Sequence, residues 1–242
     1  LSVARVPLAA GNSSPQHIAG RSLLIYRRAR PLQITDAGLS CYPRDELRVA
    51  YKSSSIAGVI RRLNRDYYLP AIQRPYVWTP DQIVRLFDSL LKGYPISSFL
   101  FWDIEPAQAT TLDIYKFVED FKYGDFHNET AIVTDQHLTL VLDGQQRLTS
   151  LLIGLRGTYK VKLKGKRWQN PDSWVRQSLF LDLLKDASDE ESESDISYGL
   201  AFFAAAPAEQ EGAHWFPVNN IMQFDDKELF DAYVEKLLDS LE

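Results

Sequence analysis

Residues 139–149 read Thr-Leu-Val-Leu-Asp-Gly-Gln-Gln-Arg-Leu-Thr, and no other stretch restricts the fold as much. Leu138 to Val141 are apolar or β-branched, which suits a short buried strand. Asp143 and Gly144 break that strand. Leu148, Leu151, Leu152 and Leu155 then recur at helical spacing, and Gly157 closes the run, so a helix is expected over 147–156. Gln145, Gln146 and Arg147 are thereby expected on a tight strand-to-helix turn. The backbone N–H groups of such a turn have no intrahelical partner and attract anions. Arg147 adds a guanidinium able to grip a phosphate with two parallel hydrogen bonds. The plainer alternative is a loop with one surface arginine. The unbroken polar run between two apolar elements weighs against it.

A second segment has the same character. Residues 67–78 read Tyr-Tyr-Leu-Pro-Ala-Ile-Gln-Arg-Pro-Tyr-Val-Trp. Pro70 and Pro75 keep the backbone around them extended. Gln73 and Arg74 then fall in a turn, flanked by Tyr76 and Trp78. An arginine among aromatics can stack on them or on a nucleobase; alternatively, Tyr76 and Trp78 anchor the following helix to the core. That helix is well marked. Thr79 and Gln82 form a capping box, Pro80 takes the first helical position, and Gly93 stops it. Ile83, Leu86, Phe87, Leu90 and Leu91 line its apolar face. Phe99 to Trp102 reads as the next strand.

Together the two motifs, joined by Leu-Phe-Asp-Ser-Leu-Leu-Lys-Gly-Tyr-Pro-Ile, resemble the N-terminal domain of GmrSD-type modification-dependent restriction enzymes and related phage-defence proteins. The resemblance covers residues 50–185 well and the remainder to 242 more loosely. It implies an α+β fold of the ParB/sulfiredoxin-like kind, a mixed sheet with packed helices, followed by a helical C-terminal segment. It also implies a domain that binds and hydrolyses a nucleoside triphosphate and regulates a DNA-cutting domain or subunit downstream. By motif match, Asp143, Gln145, Gln146 and Arg147 are the implied nucleotide-site residues, with Gln73 and Arg74 on the neighbouring turn.

Composition sets the outer limits. The chain has 242 residues, 45% hydrophobic and 24% charged, which is ordinary for a globular protein. Its single cysteine, Cys41, excludes an internal disulfide and fits a reducing cytoplasm, the expected location. No apolar run approaches the roughly 18 residues that span a membrane. The first residues, with Arg5, Pro7, Gly11 and Asn12, do not read as a signal peptide. Met222 is the only methionine and Leu1 comes first, so a piece of a longer protein is expected. Charge is uneven. Residues 1–75 carry 12 Lys and Arg against 4 Asp and Glu, whereas 76–242 carry 15 against 28. The basic third can meet phosphates. The acidic body argues against a general DNA-coating protein.

Four regions are expected along the chain. Residues 1–48, with the basic cluster Arg27-Arg28-Ala29-Arg30, read as a loosely packed extension in which Leu23 to Tyr26 can form a strand. Residues 49–185 form the nucleotide-binding domain. Residues 186–195 hold six acids among serines and read as a solvated loop. Residues 196–242 continue the domain and end in an amphipathic helix. There Leu229, Phe230, Tyr233, Leu237, Leu238 and Leu241 are expected inward. His17, His127, His137 and His214 show no metal-ligand spacing, and one cysteine builds no zinc site. No P-loop pattern is present.

These readings combine into a mechanism in which the turns at 72–76 and 143–147 converge on a nucleotide. Gly144 is expected to let the backbone approach phosphates, with Gln145, Gln73, Arg74 and Tyr76 as further binding residues. Arg147 is expected to neutralise phosphate charge, Gln145 or Gln146 to position a water, and Asp143 to hold Mg²⁺. Two rivals stand beside it. One is a non-catalytic DNA-binding module of ParB-like type, with DNA as a partner. The other is an interaction domain whose polar turn merely caps a helix.

Overall fold

The residues that follow Gly144 form a helix, Gln145–Leu155, that is buried on every side. All eight residues from Leu148 to Leu155 are withdrawn from solvent, Thr149, Ser150 and Gly154 among them. A helix apolar around most of its circumference belongs in the middle of a protein. Its two hydroxyls are satisfied internally, Thr149 by the carbonyl of Gln145 and Ser150 by that of Gln146. Gly154 is required here. A Cβ at this position would lie 2.5 Å from the Phe87 ring.

The computed structural model describes residues 23–28, 49–71, 74–104, 106–109, 111–125, 128–133, 137–185, 196–208, 212–224 and 226–241. In chain order the strands are β1 (Leu23–Arg28), β2 (Val49–Ser54), β3 (Tyr67–Pro70), β4 (Leu100–Ile104), β5 (Ile114–Tyr115), β6 (Asp120–Lys122), β7 (Leu138–Asp143), β8 (Thr158–Lys162), β9 (Trp174–Asp182), β10 (Gly199–Phe203) and β11 (Trp215–Pro217). The helices are α1 (Ile56–Ile60), α2 (Pro80–Lys92), α3 (Pro106–Ala109), α4 (Gln145–Leu155) and α5 (Lys227–Leu241), with single-turn helices at Pro171–Ser173 and Val218–Gln223. The fold is α+β.

Two mixed sheets flank the buried helix. The first runs β2-β1-β4-β7-β3-β5, with β7 antiparallel to β4 and parallel to β3. The second runs β10-β9-β8-β6, with β11 also pairing β9. Alternation along the strands sends Leu69, Phe101 and Val141 from the first sheet, and Phe121, Tyr159 and Leu179 from the second, into one core with α2 and α4. The opposite face of the first sheet buries Tyr68, Ile104, Leu138 and Leu140 in a smaller cluster with Ala109 and Ile114.

Helix α2 forms as its sequence dictates. Thr79 and Gln82 cap it reciprocally, and Gly93 ends it at φ 91°. Ser55 caps α1 by accepting from the Gly58 amide. Leu23–Arg28 is a strand and pairs β2 on one side and β4 on the other. The rest of the 1–48 region, with His17 and Cys41, lies outside the described residues, as do His127 and the 186–195 acidic run.

Three elements differ from the sequence reading. Helix α4 begins at Gln145, two residues early, because the polar residues continue the helical backbone rather than looping. Strand β9 starts at Trp174 rather than Leu179. Its first half pairs β8 with one face in solvent, so it carries no continuous apolar signal. The apolar stripe of α5 is largely uncovered. Leu229, Phe230 and Leu238 are exposed, while Tyr233 packs on Phe216 and Phe224. The periodicity of that helix is real, but among the described residues only part of its stripe meets the body.

One buried charge ties α2 to the second sheet. Asp88 is 3% exposed. One of its oxygens accepts from the amides of Ser197 and Tyr198, at 2.9 and 3.0 Å, and the other pairs Lys92 at 2.7 Å. Burial pushes the carboxyl up. The bond from Lys92 and the two amides outweigh it and hold the group below the ordinary aspartate range. A depressed carboxylate contributes stability that is present above its unfolded value of about 3.9 and lost as pH falls through its folded value. Asp88→Ala strands one ammonium and two amides, and is expected to cost about 2–4 kcal/mol at pH 7. Asp88→Asn keeps an acceptor for the amides and should cost less. Urea denaturation at pH 7 and pH 3 checks this. The gap between wild type and Asp88→Ala should narrow at the lower pH.

Candidate functional site

Strand β7 passes into α4 through one residue, Gly144, at φ 84°. The space a Cβ would take there holds the Phe99 ring, whose nearest atom is 2.3 Å away. The glycine therefore serves a left-handed turn and the seating of Phe99 beneath it. The side on which a side chain would stand is occupied by protein.

The three residues after Gly144 form the first turn of α4, and each side chain is engaged. Gln145 donates to the Val141 carbonyl at 2.8 Å. Gln146 clamps the 74–78 segment with both ends of its amide. Its oxygen accepts from the Val77 N–H at 3.1 Å and its nitrogen donates to the Pro75 carbonyl at 3.0 Å. Arg147 reaches the other way. It donates to the carbonyls of Ile96 and, at 3.0 Å, Ser98. Its guanidinium lies 4.6 Å from the centre of the Phe99 ring and 3.6 Å from Asp143. Burial lowers the Arg147 pKa and Asp143 opposes that shift; an arginine stays charged regardless. The motif thus holds the 74–78 and 94–99 segments against the start of the buried helix.

These segments border a shallow, open cleft of about 340 Å³ between α2 and residues 94–96. Trp78, Gln82, Arg85, Leu86 and Ser89 form one wall, and Tyr94, Pro95, Ile96 and Arg147 the other. The volume sits at the low end of small-molecule sites. Two aromatic rings and two guanidinium groups on an otherwise mainly apolar lining suit a flat, anionic ligand.

The expected site residues that the structure describes divide among four places. Arg147 is on the cleft wall. Asp143, Gly144, Gln145 and Gln146 adjoin it, with the Asp143 side chain 71% exposed. Arg74 is exposed on the neighbouring segment. Gln73 lies outside the described residues. Tyr76 is a core residue. It is 5% exposed, bonds to the Ser150 hydroxyl at 2.8 Å, and meets Phe121 edge-on, so it does not line the cleft. Burial raises its phenol pKa, which keeps it a neutral hydrogen-bonding group. Sequence reasoning missed Arg85 and Tyr94. The signal for Arg85 was its position on α2, one turn beyond Gln82 and level with Ser89 on one face. Nothing in the local sequence marks Tyr94 except its exposure after the Gly93 stop. Among the described residues no three His, Cys, Asp or Glu cluster as a metal site. The one carboxylate beside the motif, Asp143, is compatible with Mg²⁺ carried mainly by a ligand's own phosphates.

The family described as GmrSD restriction endonuclease, N-terminal domain, matches residues 56–239. An uncharacterized protein of Methanocaldococcus jannaschii is 32% identical over 135 residues, which is 53% of this chain and 20% of the relative. The chain therefore spans about a fifth of the length of the relative it matches. Among the described residues no helix is long and apolar enough to cross a membrane.

Two substitutions test the clasp. Gly144→Ala places a methyl group against Phe99 in a left-handed backbone, and should destabilise the fold by about 2–4 kcal/mol in chemical denaturation. Gln146→Ala removes both bonds to the 75–77 backbone. It is expected to cost about 1–2 kcal/mol and to speed hydrogen exchange at the Val77 amide. Unchanged protection at Val77 would show that the clamp does not hold that segment.

Proposed function

The chain belongs to the GmrSD restriction endonuclease N-terminal domain family, and from that premise we propose that it is a nucleoside-triphosphate-binding, and with Mg²⁺ hydrolysing, regulatory domain of a restriction system that acts with a nuclease domain or subunit. The observation that carries the nucleotide reading is the cleft, where Arg147 of the motif meets Trp78, Arg85 and Tyr94.

Each residue has a definite task in this reading. Trp78 and Tyr94 offer ring surfaces to a base. Arg85 and Arg147 supply positive charge where phosphates sit. Arg147 reaches this position already bonded to two carbonyls, so it acts as a fixed charge and needs no reorganisation. Asp143, outermost of the group, holds Mg²⁺ or orients water. The metal supplies charge neutralisation on phosphates when bound.

The clasp dictates how this is tested. Arg147→Ala would free the carbonyls of Ile96 and Ser98 and loosen the cleft wall, so lost activity in that variant would not separate chemistry from structure. Arg85→Ala and Tyr94→Ala alter the cleft without touching the clasp. Calorimetric titration with ATP, GTP, CTP and UTP in Mg²⁺ is expected to show binding of at least one. Each variant should weaken it about tenfold or more, with Tm moved by no more than about 2 °C. Asp143→Asn is expected to keep binding and lose phosphate release. Binding absent from the wild type for all four, or undiminished in both cleft variants, would overturn the reading.

A further inference from the structure

The acidic body of the chain has one basic exception. Residues 158–176 hold six lysines and arginines and a single acid, Asp172. Pairing brings part of this charge together. Lys122 on β6 is level with Lys160 on β8, and Lys160 is level with Arg176 on β9. Three positive groups thus stand side by side across three strands, about 5 Å apart. Lys162 follows two residues along the same face, opposite Trp174. Neighbours on the reverse face, Phe121 and Tyr159, are buried in the core, so the basic row faces outward.

Like charges directly opposite one another destabilise a sheet. Among the described residues none of Lys160, Lys162 and Arg176 has an acid within ion-pair distance. The one acid at the end of the row, Asp120, already accepts a hydrogen bond from Thr158. Among the described residues, then, Lys160, Lys162 and Arg176 have no acid paired with them. Aromatic rings complete the row. The Lys122 ammonium sits 4.7 Å from the Trp174 ring centre, and Trp168 meets Trp174 edge-on at 4.9 Å. Trp168 is 49% exposed although it is the largest kind of apolar side chain. It is held in place by resting on the backbone of Gly124 and by accepting, through its carbonyl, the Trp174 indole N–H at 3.1 Å.

We propose that this outer face of the second sheet binds single-stranded polynucleotide, the lysine–arginine row taking successive phosphates and Trp168 stacking an unpaired base. Charge along a line meets a phosphodiester backbone, and an exposed, fixed indole meets the face of a base that is not stacked on its neighbours. A duplex keeps those faces covered, so it can use the row but not the ring. The surface is made of strands β6, β8 and β9 and shares no residue with the cleft, so the inference does not rest on the nucleotide reading.

Fluorescence anisotropy with labelled dT20, U20 and a 20-base-pair duplex tests this on the full chain. Either single strand should bind more tightly than the duplex, and the tighter of the two identifies the backbone preferred. The double variant K160Q/R176Q should weaken single-strand binding at least about tenfold and make the slope of log K against log salt shallower by about 1.4. It should also melt no lower than wild type, because a like-charge contact is removed. Trp168→Ala should weaken binding by about fivefold or more and leave the slope unchanged, as a stacking contribution must. Duplex binding equal to or tighter than single-strand binding, or single-strand binding unmoved by K160Q/R176Q in a folded protein, would overturn the proposal.

Discussion

The burial of helix α4 on all sides is the constraint from which the rest of the structure follows. Eight consecutive buried residues leave the helix little freedom to rotate or slide, because any shift opens cavities against two sheets and α2 at once. Only its first turn reaches the surface. Gln145, Gln146 and Arg147 are therefore presented from a fixed platform, and the 74–78 and 94–99 segments are fixed in turn because those side chains hold their backbones. Loops placed this way by a rigid scaffold are where ligand contacts are commonly built.

Arg147 sits against the local electrostatics. A cation at a helix N-terminus opposes the helix dipole, and burial adds a desolvation cost. The fold offsets this with two carbonyls, the Phe99 ring and the Asp143 carboxylate. A purely structural clamp could have used a neutral donor such as glutamine, as Gln146 does next to it. A charge retained where it is locally unfavourable is one that an anionic ligand at the cleft would offset.

The sequence made the strand–turn–helix unit legible because three independent patterns agreed there: an apolar run, a glycine break and helical leucine spacing. The capping box of α2 was legible for the same reason. What it concealed was partnership. Gln146 and Arg147 look like free polar groups in sequence, yet their partners are backbone carbonyls and an amide some 50 to 70 positions away, which no local pattern records. Tyr76 misleads in the opposite sense. Flanked by Arg74 and Trp78 it resembles a ligand-stacking ring, but its hydroxyl finds Ser150, one of the few polar groups on the buried helix, and this lets the whole side chain sink into the core. The early start of β9 and the bare stripe of α5 share a cause. Alternation and periodicity report which residues share a face, and only tertiary packing decides whether that face is covered.

The cleft and the basic face of the second sheet share no element but are joined through packed matter. Tyr159 on β8 donates its hydroxyl to the Trp78 carbonyl at the cleft wall, at 3.2 Å, while its ring packs on Phe121. Burial pushes the Tyr159 phenol up to about 12, so it remains a donor throughout the neutral range. Phe121 in turn touches Tyr76, whose hydroxyl is anchored on α4. Lys160 and Lys122 directly follow Tyr159 and Phe121 and project from the opposite side of the same strands. Displacement of Trp78 would thus act on the two residues whose neighbours define the basic row. Contact of this kind transmits geometry only if some element along it has two stable arrangements. The buried helix does not qualify, being packed on all sides. The 74–78 segment is the exposed member of this chain of contacts, held on its inner side by the Gln146 amide, by Tyr76 in the core and by the Tyr159 bond to Trp78.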